Sequence, residues 1–563
     1  MQPAEYLDSV EANYDAKVHM PGLENKSPGY HTTIPNGVWV HPTRDALDYA
    51  LILLQEGSAS RVRRACEIIR KVISLQDRDP VSPTYGIWSW YLEEPLAQMS
   101  PPDWNWADFC GLRLGWIYRD YGKRLPAPLL RQVAASLDHA ALSIVRRNMG
   151  AHYTNIAIMG GIVTAVAGEI LGEKRWLHYG RRRLEQSVEH FRFHGGFNEY
   201  NSPTYTMTVL RDCEHGLQLL KQKEVIRPLK FLWRAAWVTI AEHFHPPTGQ
   251  WAGPQSRSYH TFLHPEPAFR LEERTNTPIP VHPQLQGAAP AQGFLKDVHA
   301  VPCPSDLRPR FRSLPGAPYE IKRRFIRRSA DESSICGTTW FSKTACVGSV
   351  NHDALWDQSR GLLAYWIGAG NNPVALRLRF LHDGREFASA YAVNRQDGPR
   401  VLSALHLLLD RGDFHPMFDP PKDNIFQAGD FRLRYEFVGP GLSIETLPDG
   451  RFAVSSGSCQ AIITTAPCIF GNSSARWQPE LTDGRAHIDA ILYHGKPRAF
   501  DFKTLSPVRI AAGFQLVDAA SRPKPSLMKW RQSANGSAIH WPGRPSLDAK
   551  IPDRAVPFSD KNG

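Results

Sequence analysis

Three polar clusters in this sequence hold residues able to move protons or bind an anion. The first is Gly195-Gly196-Phe197-Asn198-Glu199-Tyr200-Asn201-Ser202-Pro203-Thr204-Tyr205, set between two stretches of helical apolar periodicity. Two glycines and an Asn-Ser-Pro turn describe a built loop that ends in a phenol at the entrance of the next helix, and catalytic groups concentrate on such loops. A structural reading stands beside it, with Ser202 as N-cap, Pro203 at the first helical position and Tyr205 as a packing residue. The second cluster is His152-Tyr153-Thr154-Asn155. Asn155 either caps the helix over 153–171 or turns its amide into a cleft to meet a carboxylate, with His152 in the same cleft or on the surface. The third is Asn351-His352-Asp353-Ala354-Leu355-Trp356-Asp357-Gln358-Ser359-Arg360. His352 suits a general base or a carboxylate partner, because imidazole titrates near neutrality. Trp356 and Arg360 are placed to contact a ligand held there.

Aromatic and cationic residues elsewhere extend this set. Trp88 and Trp90 lie in an aromatic-acidic stretch that suits a sugar platform or, equally, core packing at helix ends. Arg257 and Tyr259 follow Gln250-Trp251-Ala252-Gly253-Pro254, and the guanidinium can grip a carboxylate with two N–H groups. Glu199 is also counted among the substrate contacts. His190 with His194, and His243 with His245, lack a third and fourth ligand at metal-site spacing. No metal or other cofactor is expected at the site, although a structural ion is compatible with the sequence. A Walker loop, a Rossmann fingerprint and a Gly-x-Ser-x-Gly elbow are all missing.

The elements that must position these residues fall into two kinds. A chain of 563 residues exceeds a single hydrophobic core. Apolar residues step by three and four through Ala46–Leu54, Val62–Ile73, Leu130–Ile144 and Ile156–Ile170, and further helices are expected near 176–191, 205–220 and 229–244. After a Pro- and Gly-rich stretch and the basic run Lys322–Arg328, read as a solvated strand, the period changes to two. The expected fold is an N-terminal α/α toroid, an incomplete barrel, followed by a C-terminal antiparallel β-sandwich. The expected boundaries are an N-terminal arm over 1–30, the toroid over 31–320, the sandwich over 321–530 and a tail over 531–563.

The net charge of +11 favours an anionic partner. Nucleic-acid signatures are missing, so an acidic polysaccharide or oligosaccharide is the expected partner and nucleic acid is not. No apolar run reads as a membrane span, and the first residues lack the pattern of a signal peptide. The expectation is therefore a soluble chain, either cytoplasmic or exported with its signal removed, in no fixed oligomeric state. Eight scattered cysteines without a C-x-x-C imply no disulfide framework.

Tyr153-Thr154-Asn155-Ile156-Ala157, followed about fifty residues later by Ser202-Pro203-Thr204-Tyr205, resembles the heparinase II/III-like polysaccharide lyases, as a distant relative. That family pairs an α/α toroid with an antiparallel β-sandwich. The resemblance implies β-elimination on a uronic-acid glycan. Asn155 would neutralise the uronate carboxylate, Tyr205 would supply acid or base, and His352 would complete the site from the β domain. Thr206 stands where the family often has His, and Asn351-His352-Asp353 lacks its usual His-x-His. Two other readings remain open. One is a toroid glycoside hydrolase using two of Glu93, Glu94, Asp103, Asp108 and Glu199. The other is a non-catalytic protein that binds acidic glycans.

Overall fold

The computed structural model describes residues 1–27, 30–290, 293–328, 333–416, 419 and 422–558. Helices come first: α1 Pro3–Val10, α2 Thr43–Glu56, α3 Ala59–Ser74, α4 Trp106–Tyr121, α5 Ala127–Arg147, α6 Thr154–Leu171, α7 Lys174–His194, α8 Tyr205–Leu219, α9 Lys223–His243 and α10 Pro265–Thr275. Consecutive helices pair (α2 with α3, α4 with α5, α5 with α6), while α4 adjoins both α2 and α6 and α3 adjoins α5. This alternation gives the two helical layers expected of an α/α toroid. α3 shows why one face turns inward: Ala65, Cys66, Ile68, Ile69, Val72 and Ile73 are buried on a stripe, with Arg and Lys on the remainder.

α6 is buried on every side from Thr154 to Gly168, as an inner-layer helix must be. It is also long and apolar enough to cross a membrane by length and composition, which corrects the expectation that no such run exists. Its 83% burial is that of a core helix. Small residues spaced along it let α7 approach closely. A Cβ added at Gly180 would stand 2.5 Å from the Gly161 carbonyl oxygen, and one at Gly168 would stand 2.4 Å from the Leu177 nitrogen.

Two nine-stranded antiparallel sheets follow, with main paths of seven and eight strands. The first runs in the order His352–Leu355, Ala390–Asp397, Arg400–Leu407, Val508–Asp518, Cys459–Thr465, Phe452–Ser456, Ser443–Thr446. The second runs Arg476–Thr482, Arg485–Asp501, Ile425–Val438, Pro373–His382, Leu362–Ile367, Ala345–Val350, Ile335–Phe341, Tyr319–Ile326. Period two becomes one buried face in strands such as Ile335–Phe341, whereas Ala345–Val350 and Cys459–Thr465 are buried on both faces. Leu376, Leu378 and Phe380 pack with Leu433, Tyr435 and Phe437 of the second sheet and with Val401, Leu405, Ile510 and Phe514 of the first. This is an antiparallel β-sandwich.

The chain divides into two compact units whose boundaries differ from those expected. The first comprises Met1–Arg192, Met207–Trp237 and Ala289–Pro302; the second comprises Phe193–Thr206, Val238–Ala288 and Cys303–Gly563. The loop that ends in Tyr205 thus groups with the β half. Residues from 531, expected as a tail, instead complete a three-stranded sheet of Lys529–Ser533, Gly536–Trp541 and Leu547–Ile551. Ile539, Trp541, Leu547, Ala549 and Ile551 bury an apolar face that Pro and Gly nearby disguise in the sequence. The last part of the expected tail, 559–563, lies outside the described residues.

Candidate active site

In the second unit, three segments distant in sequence are tied together around Arg257. Ser202 Oγ accepts the Tyr205 amide N–H at 3.0 Å, capping α8, and donates to the Arg257 carbonyl at 2.6 Å. Asn201, in the left-handed region at φ 45°, donates its amide to the Ala252 and Pro254 carbonyls at 2.8 and 2.9 Å. It also accepts the Trp251 indole N–H at 2.6 Å. Gln255 and Arg360 exchange backbone hydrogen bonds at 3.1 and 2.9 Å, and Ser258 donates to the Gln358 carbonyl at 2.7 Å. Glycine is required at 253: φ is 88°, and a Cβ would stand 2.7 Å from Thr339 Oγ1 and 2.8 Å from the His243 ring.

The Arg257 guanidinium is fixed from two sides. Nη1 donates to Glu199 Oε1 at 3.0 Å and Nε donates to Gln358 Oε1 at 2.8 Å. Its Cζ lies 4.1 Å from the centre of the Tyr205 ring and 5.8 Å from that of Trp356. The Tyr205 hydroxyl meets the Tyr259 hydroxyl at 2.7 Å, and Tyr259 is 49% exposed. Burial pushes the Tyr205 phenol well above its ordinary range, with the Arg257 cation pulling the other way. The balance keeps the phenol protonated, as a proton donor beside a cation.

The strand His352–Leu355 meets the same loop one residue away from His352. Tyr200, stacked on Phe325 at 4.5 Å, donates its hydroxyl to Asp353 Oδ2 at 2.6 Å. His352 Nδ1 lies 2.6 Å from the Tyr391 hydroxyl, which orients the ring. Trp356 packs edge-on against the His415 ring at 5.0 Å. Asp357 Oδ1 is buried without a hydrogen-bond partner, and burial pushes this carboxyl up to about 6.

Several expected substrate contacts have other work here. Glu199, 8% exposed, anchors Arg257. Arg360 is buried, and its Nη1 holds the Asp357 and Ser359 carbonyls at 2.8 and 2.9 Å. Glu199 is thus engaged by Arg257, and Arg360 by the backbone of its own loop.

The first unit holds the remaining expected residues. Asn155 is 3% exposed and sits inside the first turn of α6, one residue past its start; Tyr153 takes the cap position. His152 is exposed. Trp88 is fully buried with its indole N–H on the Val72 carbonyl at 2.9 Å, so the sugar platform expected there is corrected to core packing. Trp90 stacks on Trp106 at 5.0 Å and donates to Asp103 at 3.2 Å. Three carboxylates of the hydrolase reading are engaged elsewhere. Glu93 binds His41 Nδ1 at 2.5 Å, Glu94 accepts Thr33 N–H and O–H at 2.7 Å each, and Asp103 accepts the Asn105 N–H at 3.0 Å. Asp108 is 2% exposed. Among the described residues, no group of three or more His, Cys, Asp or Glu is arranged to hold a metal ion.

A family model described as "Domain of unknown function (DUF8769)" matches residues 24–265, less than half of the chain. No curated protein matches the sequence. Solved structures similar to this chain include a heparinase III, at 10% identity and TM-score 0.40 over 90% of this chain and 82% of that one. A heparan sulfate lyase mutant from Pedobacter heparinus is similar at 10% identity and TM-score 0.34, over 91% and 82%. A Streptomyces coelicolor chondroitin AC lyase in complex with chondroitin sulphate is similar at 10% identity and TM-score 0.33, over 92% and 96%.

Three residues escaped the sequence reading: Gln358, which locks Arg257; Tyr200, which binds Asp353; and the orphaned Asp357. The crowding of polar residues over 351–360 pointed toward Asp357 and Gln358, and the loop over 195–205 toward Tyr200.

Proposed function

We propose that this protein is a polysaccharide lyase that cleaves a uronic-acid-containing glycan by β-elimination. The observation that carries the reading is the protonated Tyr205 phenol under the fixed Arg257 guanidinium, 4.1 Å away. β-Elimination needs a cation or amide to spread the charge that develops on the uronate carboxylate, and an acid for the departing oxygen. Arg257 supplies the first and Tyr205 the second. A base takes the C5 proton, the electron pair becomes the C4–C5 double bond, the C4–O bond breaks, and Tyr205 protonates the leaving oxygen. Tyr259, hydrogen-bonded to Tyr205 and open to solvent, is placed to return the proton.

A phenol held protonated is a poor base, so His352 is proposed for proton abstraction, with elimination in the anti sense. The hydrogen bond between Tyr200 and Asp353, next in the strand, supports that assignment. Asn155 is proposed as the amide partner of the carboxylate on the resemblance described above. The hydrolase alternative is disfavoured by the structural commitments of Glu93, Glu94 and Asp103.

The test is single-turnover kinetics of His352→Ala and Tyr205→Phe on a uronic-acid polymer that the wild type cleaves. The proposal expects His352→Ala to slow proton abstraction, seen as slower exchange of the C5 hydrogen with solvent. Tyr205→Phe should instead slow release of the leaving sugar. Wild-type exchange and cleavage in both variants would remove these assignments.

A further inference from the structure

The strand Tyr319–Ile326 is the last strand of its sheet, and Lys322, Arg323, Arg324 and then Arg327 face solvent along it. Lys and Arg on an edge strand discourage pairing with another chain, which is the ordinary account of such a row. Three observations go further. First, Arg323 donates to Glu242 at 2.9 Å and Lys322 lies 3.0 Å from Glu320, but among the described residues no carboxylate pairs with Arg324 or Arg327. Second, the Arg327 guanidinium lies 5.2 Å over the ring of Phe193, which is 55% exposed, and Arg324 Nε reaches the His194 carbonyl at 3.3 Å. A cation beside an open aromatic face suits an anionic sugar, whose ring stacks while its acid group is neutralised. Third, the row borders the candidate site. Phe325 stacks on Tyr200, the Tyr200 carbonyl accepts Ser256 N–H and O–H at 3.1 and 2.9 Å, and the next residue, Arg257, covers Tyr205.

We propose that Lys322, Arg324, Arg327 and Phe193 form an extended binding strip for an acidic polysaccharide chain, engaging sugars several units from the bond that is cleaved. The ligand class rests on the lyase reading; the strip itself is read by binding, without turnover. Nucleic acid fits less well, because the sequence carries no RRM, zinc-finger or basic-zipper signature.

The experiment compares the full chain with a Lys322→Ala/Arg324→Ala/Arg327→Ala variant, both carrying Tyr205→Phe so that consumption is slow on the timescale of the binding measurement. Affinity for a long polyuronate, for a short oligouronate and for single-stranded DNA is measured over a range of sodium chloride. The strip predicts about tenfold weaker binding of the long polyuronate by the triple variant at low salt and a shallower salt dependence. The short oligouronate should lose much less. Equal loss for long and short chains would overturn the proposal, and so would unchanged affinity for the long chain. Unchanged affinity with new self-association would assign the charges to edge protection. Single-stranded DNA bound more tightly than polyuronate of equal charge would overturn the ligand class. A wild type that cleaves nothing, while its binding still depends on the strip, would count against the lyase reading alone.

Discussion

Tyr205→Phe removes one hydroxyl whose recorded partner is the exposed Tyr259 hydroxyl. Steady-state turnover should fall by roughly 10²–10⁴-fold with the melting temperature unchanged. Arg257 is different, because it joins structure and chemistry. Arg257→Ala takes away the cation 3.0 Å from Glu199, whose side chain is 9% exposed, at a cost of about 3 kcal/mol in chemical denaturation. Arg257→Lys keeps the charge but cannot hold Glu199 and Gln358 together, so kcat/KM should drop by about tenfold or more with a smaller loss of stability. Wild-type kcat/KM in the lysine variant would show that the planar fork has no role. Tyr205, its Ser202 cap and Arg257 were readable because each belongs to a local pattern of loop, cap and helix. The lock on Arg257 was not, since Glu199 lies 58 residues from it and Gln358 lies 101 residues away. No local spacing encodes a contact made only by folding.

At the scale of elements, the inner helices carry carboxyls that no surface pattern reveals. Asp108 in α4 and Asp212 in α8 are buried, each with an oxygen lacking a hydrogen-bond partner, and burial pushes both up to about 7. In the unfolded chain an aspartate ionises near pH 4. The folded state therefore binds more protons between about pH 4 and 7, and stability falls as pH rises through that window. Asp108→Asn should raise the melting temperature at pH 8 and change it little at pH 4. A larger gain at pH 4 than at pH 8 would contradict the burial argument. In the sandwich, Phe431 is fully buried among Phe380, Phe387, Phe470, Phe500 and Phe502. Phe431→Ala should cost about 3–5 kcal/mol in chemical denaturation; a cost under about 1 kcal/mol would mean the core collapses around the gap. Both kinds of element were legible as periods of 3.6 and of two. The helix α6 was legible, but its apolar length was understated because Gly160, Gly161, Thr164 and Gly168 break up the run.

For the whole molecule, the order of helices before strands followed from the change of period near residue 320. The division into compact units did not. Phe193–Thr206 leaves the helical stretch to join the β half, and Ala289–Pro302 goes the other way. Such exchanges are set by long-range packing. The final sheet was hidden by Pro and Gly around short strands, although Trp541 and Ile539 lie fully in its core. The net charge of +11 is a property of the entire chain and sets its encounter with a polyanion. Association with an acidic polysaccharide should slow steeply as salt rises from about 0.01 to 0.15 M, because the screening length shrinks from about 30 to 8 Å. Association that ignores salt would remove charge from the account of the partner.

β-Elimination on a uronic-acid glycan leaves a chromophore, so the deciding measurement is ultraviolet absorbance during incubation of the wild-type chain with a panel of uronic-acid polysaccharides. Absorbance from a 4,5-unsaturated uronate should rise on at least one polymer, and far more slowly with Tyr205→Phe. Release of reducing sugar without that absorbance would contradict β-elimination and turn attention to hydrolysis by paired carboxylates.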